Sequence, residues 1–154
     1  MKRALLLSVV AATLLFLSAC GTSAAVQPAA TSASANQPAS SGNGTEVDVT
    51  LADNTIQSSV TTFKVGVPYR FVIINNGNHQ HNFNINPPVD VAGSLDAALS
   101  KALLSVDQGQ LPIGGGTTVT YTFPASAVGQ KLEMSCLIKR HYEDGMRLQI
   151  TVTN

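Results

Sequence analysis

Short runs in which apolar and polar residues alternate constrain this chain more than any other feature. Val47, Val49 and Leu51 alternate with Glu46, Asp48 and Thr50, and Val119, Tyr121 and Phe123 share one parity farther on. A period of two is that of a half-buried strand, so each run must turn one face to a core. Comparable runs cover Phe63 to Val65, Tyr69 to Ile74, His79 to Ile85, Lys131 to Leu137 and Met146 to Val152, with the Tyr69 run apolar enough to be largely buried. Turn and breaker residues separate them: Asn75-Asn76-Gly77, Pro87-Pro88, Pro112 and Gly114-Gly115-Gly116. About six or seven short strands divided in this way argue for an all-β sandwich. One stretch departs from the pattern. Leu95, Leu99 and Leu103, with Ala98 and Ala102, fall at helical spacing behind Ser94 and Asp96, which predicts a short covering helix in one strand connection.

The N-terminal residues are of another kind. Lys2 and Arg3 precede the apolar run Ala4 to Phe16, and Leu17-Ser18-Ala19-Cys20 follows. A charged start, a short apolar stretch and small residues at the end describe a secretory signal peptide rather than a spanning helix. Leu-Ser-Ala-Cys resembles a bacterial lipobox, in which the cysteine is acylated; an ordinary signal peptide cut near Ala19, Ala24 or Ala25 is the alternative. Residues 21–44 carry neither charge nor aromatic ring and so cannot form a core. As a flexible coil this stretch spans roughly 25 to 30 Å on average. The expected layout is a lipoprotein signal peptide over 1–19, a lipidated Cys20 with a disordered tether over 20–44, and a folded domain over 45–154. Several acyl chains on Cys20 would hold that domain at a bacterial membrane, extracytoplasmic, in the periplasm or at the cell surface.

Composition limits the partners. The formal net charge is zero and only 12% of residues are charged, so the chain carries no electrostatic footprint for nucleic acid. If Cys20 is lipidated, Cys136 is the sole remaining thiol of an exported domain, and a lone thiol in an oxidising compartment calls for a reason.

The stretch Cys-Leu-Ile-Lys-Arg-His-Tyr-Glu-Asp-Gly-Met supplies one. It places Cys136, His141 and Met146 within one loop, in a chain with two cysteines, three histidines and three methionines. Soft sulfur with imidazole suits copper, and one Cys, two His and a weak axial Met form the ligand set of a blue copper electron-transfer site. A second imidazole must come from His79 or His81, which share a parity with Phe83 and Ile85. Cys136 is in step with Leu132 and Met134, and Met146 with Leu148, Ile150 and Val152, so the candidate donors stand at core-facing strand ends.

A His-Asn step at His81-Asn82 and a Cys-His-Met loop before the last strand resemble the cupredoxins, the family that includes plastocyanin and azurin. The resemblance spans about residues 45 to 154 as a strand pattern, and the donor set is its specific part. It implies a Greek-key β-sandwich whose His81, Cys136, His141 and Met146 hold one mononuclear type 1 copper. Asn82 would tie the His81 segment to the Cys136 loop by hydrogen bonds, and the edge of His141 would be the exit for the electron. His79, beside the Asn75 to Asn78 turn and without a following Asn-Phe pair, would be a surface residue. Many members carry Pro-Gly before the second histidine, where this chain has Lys139-Arg140. Those two cations would favour partners with an acidic docking patch.

The function implied is transfer of single electrons between redox proteins of an extracytoplasmic chain, by a monomer that is not an enzyme and takes no small-molecule substrate. Copper capture or delivery by a lipoprotein is the alternative on the same residues.

Overall fold

The computed structural model describes residues 44–154; the signal peptide expected over 1–19, the lipid expected on Cys20 and the tether expected after it, up to residue 43, lie outside the described residues. In chain order come β1 (Thr45–Ala52), β2 (Thr55–Ser58), β3 (Thr62–Lys64), β4 (Pro68–Asn75) and β5 (Phe83–Asn86). Two short helices, α1 (Val89–Ala92) and α2 (Leu95–Ser100), precede β6 (Leu104–Val106). The chain closes with β7 (Gly116–Thr122), β8 (Leu132–Ser135) and β9 (Arg147–Thr153).

The strands form two sheets, ordered β2-β1-β4-β7 and β3-β9-β8-β5-β6. β1 runs parallel to β4, with Val47 opposite Phe71 and Val49 opposite Ile73, and β7 pairs antiparallel on the far side of β4. In the second sheet β8 lies antiparallel between β5 and β9. One core fills the space between the sheets, as the alternation requires: Val47, Val49, Leu51, Phe71 and Ile73 meet Phe63, Phe83, Ile85, Met134 and Val152. Phe63 sits among aromatic rings at 4.8 Å from Phe123 and 4.9 Å from Tyr69, centroid to centroid, distances at which ring pairs add to the burial energy.

The mostly β two-sheet sandwich expected from the alternation is therefore present, with differences in detail. β4 is not buried throughout: Tyr69, Phe71, Ile73 and Asn75 point inward while Ile74 is 45% exposed, because only one face of this sheet has a partner. The strand expected from His79 starts only at Phe83, since the preceding residues form a loop. β2 and β6 are further strands, too short for a clear period. The expected helical stripe is cut at Lys101. There the chain turns back so that Leu103 N–H donates to Ile85 O at 2.7 Å, leaving two short helices in this connection and Leu99 46% exposed. Ser94 caps α2 as predicted, its hydroxyl accepting from Ala97 N–H at 3.1 Å.

The α1–α2 connection matters because it packs on the outer side of the second sheet. Ala98, Leu137 and Tyr142 form a small apolar cluster there with Val89, Ala92 and Leu95. All four residues of β5 and all four of β8 are consequently buried, including the polar Asn84, Asn86, Glu133 and Ser135.

Candidate metal centre

Two segments at one end of the sandwich carry the candidate donors. The first leaves β4 at Asn75, a fully buried residue whose side chain shapes the loop. Its Nδ2 donates to His79 O at 2.9 Å and Leu111 O at 3.0 Å, and its Oδ1 accepts from Gly77 N–H at 2.9 Å. These bonds replace the strand ladder that ends here, and they set His81 inward at 1% exposure. His79, of the same parity, remains at the exposed rim with its Nδ1 3.1 Å from Asp53 Oδ1.

The second segment is the loop from Cys136 to Met146. Cys136 N–H donates to Met146 O at 3.1 Å, which clamps the two ends together. Within the loop Tyr142 N–H reaches Ile138 O, Asp144 N–H reaches Arg140 O, and Met146 N–H reaches His141 O at 2.9 Å. The turn needs a left-handed residue at Arg140, φ 77°, where many members of the family noted above place glycine. Cys136 and Met146 are fully buried, whereas His141 is half-buried.

Asn82 joins the segments, its Oδ1 accepting from Leu137 N–H at 2.8 Å and from Asn84 Nδ2 at 2.9 Å. The tie expected of this residue is thus in place.

The donor atoms converge. His81 Nδ1 lies 3.1 Å from His141 Nδ1, and Cys136 Sγ lies 3.5 Å from His141 Nδ1 and 3.9 Å from His81 Nδ1. A triangle with these edges has its centre about 2 Å from each corner, close to the length of metal–imidazole and metal–thiolate bonds. His81, Cys136 and His141 are the one such group of metal-ligating side chains among the described residues. With the buried Met146 on the same loop, the set is typical of a type 1 copper site. His79 contributes no donor to it.

Electrostatics suit ligation. Burial, then the nearby His141, lowers the pKa of His81, so its imidazole is neutral and free to donate its lone pair. Burial raises the pKa of the Cys136 thiol, so a metal must displace its proton to obtain the thiolate.

Asp53 is a residue that the sequence reading missed. In the β1–β2 turn it accepts from Asn78 N–H and Asn78 Nδ2, both at 2.9 Å, and stands 3.7 Å from His81 Nε2. No local motif marks it, because it lies far from the ligands along the chain. A surface cleft of about 770 Å³ lies elsewhere, bordered by Pro88, Asp90, Glu133, Tyr142 and Arg147, and contains none of the clustered donors.

No family model and no curated protein matches the sequence. Solved structures do. The fold is similar to that of Na-dithionite-reduced auracyanin from the photosynthetic bacterium Roseiflexus castenholzii, with 23% identity and a TM-score of 0.56 over 73% of this chain and 100% of that one. It is also similar to auracyanin B, with 22% identity and a TM-score of 0.56 over 73% of this chain and 91% of that one. The domain therefore has a cupredoxin-like fold.

Proposed function

We propose that this protein is a type 1 copper electron carrier, whose copper would be held by His81, Cys136, His141 and Met146. The observation that carries this reading is the donor triangle, which already has the dimensions of a coordination sphere. Bound copper would supply one-electron exchange between Cu(I) and Cu(II). The chain supplies the constraint. Asn75 and Asn82 fix His81, the clamp between Cys136 and Met146 fixes the thiolate, and the sandwich excludes water from both. Donors held in one arrangement by a packed core have little to rearrange when the charge changes, which favours fast electron transfer. Four side-chain donors complete the set, a carrier's arrangement rather than a catalyst's open position.

His141 is the half-buried member and gives the electron its route to a partner. Exposed Lys139 and Arg140 flank it, which favours redox proteins with an acidic docking patch. The sequence before residue 44 supports a lipid on Cys20 and a tether that keeps the domain at an extracytoplasmic membrane surface while it reaches successive partners.

Repeated oxidation and reduction of the copper-loaded full-length protein, with metal counted after each cycle, tests carriage directly. Full retention of one copper per chain through many cycles is the expected outcome. Ready loss of Cu(I) to a copper-binding acceptor would instead identify a copper-delivery lipoprotein.

A further inference from the structure

The remote nitrogen of His81 poses a question that the donor triangle does not answer. A neutral imidazole that offers Nδ1 to a metal carries its proton on Nε2, and such a proton normally finds a carboxylate or carbonyl acceptor. Here Nε2 is fully buried and makes no hydrogen bond. The group facing it is the Asp53 carboxylate, with Oδ1 at 3.7 Å, an electrostatic contact longer than a hydrogen bond.

That approach depends on Gly77. A Cβ at this position would stand 2.6 Å from His81 Nε2 and 2.7 Å from Asp53 Oδ1, so any side chain would wedge the two apart. The carboxylate is also not free to swing away. Asn78 holds both of its oxygens, and His79 Nδ1 lies 3.1 Å from Oδ1. A buried imidazole nitrogen without a partner, a pinned anion in front of it and a glycine between them form one arrangement.

We propose that Asp53 is the positioning and charge partner of His81: through the gap left by Gly77, its carboxylate orients the ring with Nε2 protonated and favours the oxidised, Cu(II) state. This rests on the copper reading above. The oxidised centre carries one more positive charge than the reduced one, so a fixed anion behind a ligand stabilises it preferentially. The Asp53 side chain is 33% exposed and therefore screened by water, which limits the effect to about tenfold in the Cu(II)/Cu(I) equilibrium.

The test compares midpoint potentials of the copper-loaded full-length protein and its Asp53→Asn variant. Asparagine keeps the shape and can still accept from Asn78 N–H but removes the charge. The variant should shift about tenfold toward Cu(I), raising the potential by ~59 mV for one electron, with the thiolate–copper absorption intact. Asp53→Glu, which keeps the charge, should recover most of the shift, something a purely structural role would not require. Gly77→Ala retains both groups but separates them, and should raise the potential in the same direction. An unmoved potential in Asp53→Asn, with absorption intact, would overturn this inference alone. Lack of thiolate–copper absorption in the unmodified protein would overturn the copper reading with it. Should Asp53→Asn fail to fold, nitrogen-15 NMR of the unmodified Cu(I) protein decides: a slowly exchanging proton on His81 Nε2 supports the pairing, and an Nε2 that carries no proton overturns it.

Discussion

His81 and His141 reach the same cluster from segments of different construction. The His81 segment belongs to the sandwich: Asn75 bonds it to the turn at Leu111, Asn82 bonds it to the Cys136 loop, and the ring is 1% exposed. The His141 loop is stitched mainly to itself, closed by the Cys136–Met146 clamp, and its imidazole is half-buried beside the exposed Lys139 and Arg140. One segment supplies rigidity and the other supplies access. A carrier needs both, because a wholly buried centre could not meet a partner and a wholly exposed one could not hold its geometry.

Glycine at the two histidines breaks this contrast most sharply. His81→Gly opens a void in the packed end of the sandwich and should cost about 3 kcal/mol of stability in urea unfolding of the metal-free protein. His141→Gly should cost well under half as much. Added imidazole should restore thiolate–copper absorption in His141→Gly and fail to do so in His81→Gly, because only the first vacated position opens to solvent.

Asn75→Ala tests the sandwich side next. It leaves Gly77 N–H and the buried Leu111 carbonyl without their partner, which should cost about 2 kcal/mol. Its effect on copper retention should exceed that of any change at Lys139 or Arg140.

The loop's footing supplies a smaller, pH-dependent effect. Tyr142, next to His141, packs near Glu133, which is 2% exposed with one carboxyl oxygen lacking a hydrogen bond. Burial raises the Glu133 pKa. The folded state therefore binds this proton more tightly than the unfolded one; the resulting stability is fully present below about pH 4.5 and is lost as pH rises through the folded-state value. At neutral pH the buried carboxyl is therefore a net cost to the fold. Glu133→Gln should raise stability by about 1 kcal/mol at pH 7 and make almost no difference at pH 4, as read from melting temperatures across that range.

Arg140→Gly should have the smallest effect. The left-handed φ of 77° is strained for arginine and free for glycine, so the variant should gain roughly 0.5 to 1 kcal/mol, less the glycine's added unfolded-state entropy. Partner association should slow in the same variant if the cation at this position guides docking.

Much of this was legible along the chain for a simple reason. Cys136 and Met146 sit at the ends of strands whose period is two, so their inward direction followed from Leu132 and Met134 on one side and Leu148 and Ile150 on the other. The choice between His79 and His81 did not follow from parity, which they share; the resemblance favoured His81, and the Asn75 bonds that turn it inward lie in a loop with no period. The outer faces of β5 and β8 were misleading for a related reason. Glu133 and Ser135 look solvent-facing in an alternating strand, but Tyr142 stands beside Glu133 and the α1–α2 connection packs with Tyr142 on that side of the sheet. Asp53 could not be read at all, since its meeting with His81 depends on the parallel pairing of β1 and β4 bringing two turns to the same end of the sheet.

The most direct test of the central claim is the visible absorption of the Cu(II)-loaded full-length protein beside its Cys136→Ala variant. An intense red-region band that bleaches reversibly with reductant and disappears in the variant is the result expected of a thiolate–copper redox centre. A protein that shows no such band, or one whose band survives loss of the Cys136 sulfur, would contradict the account.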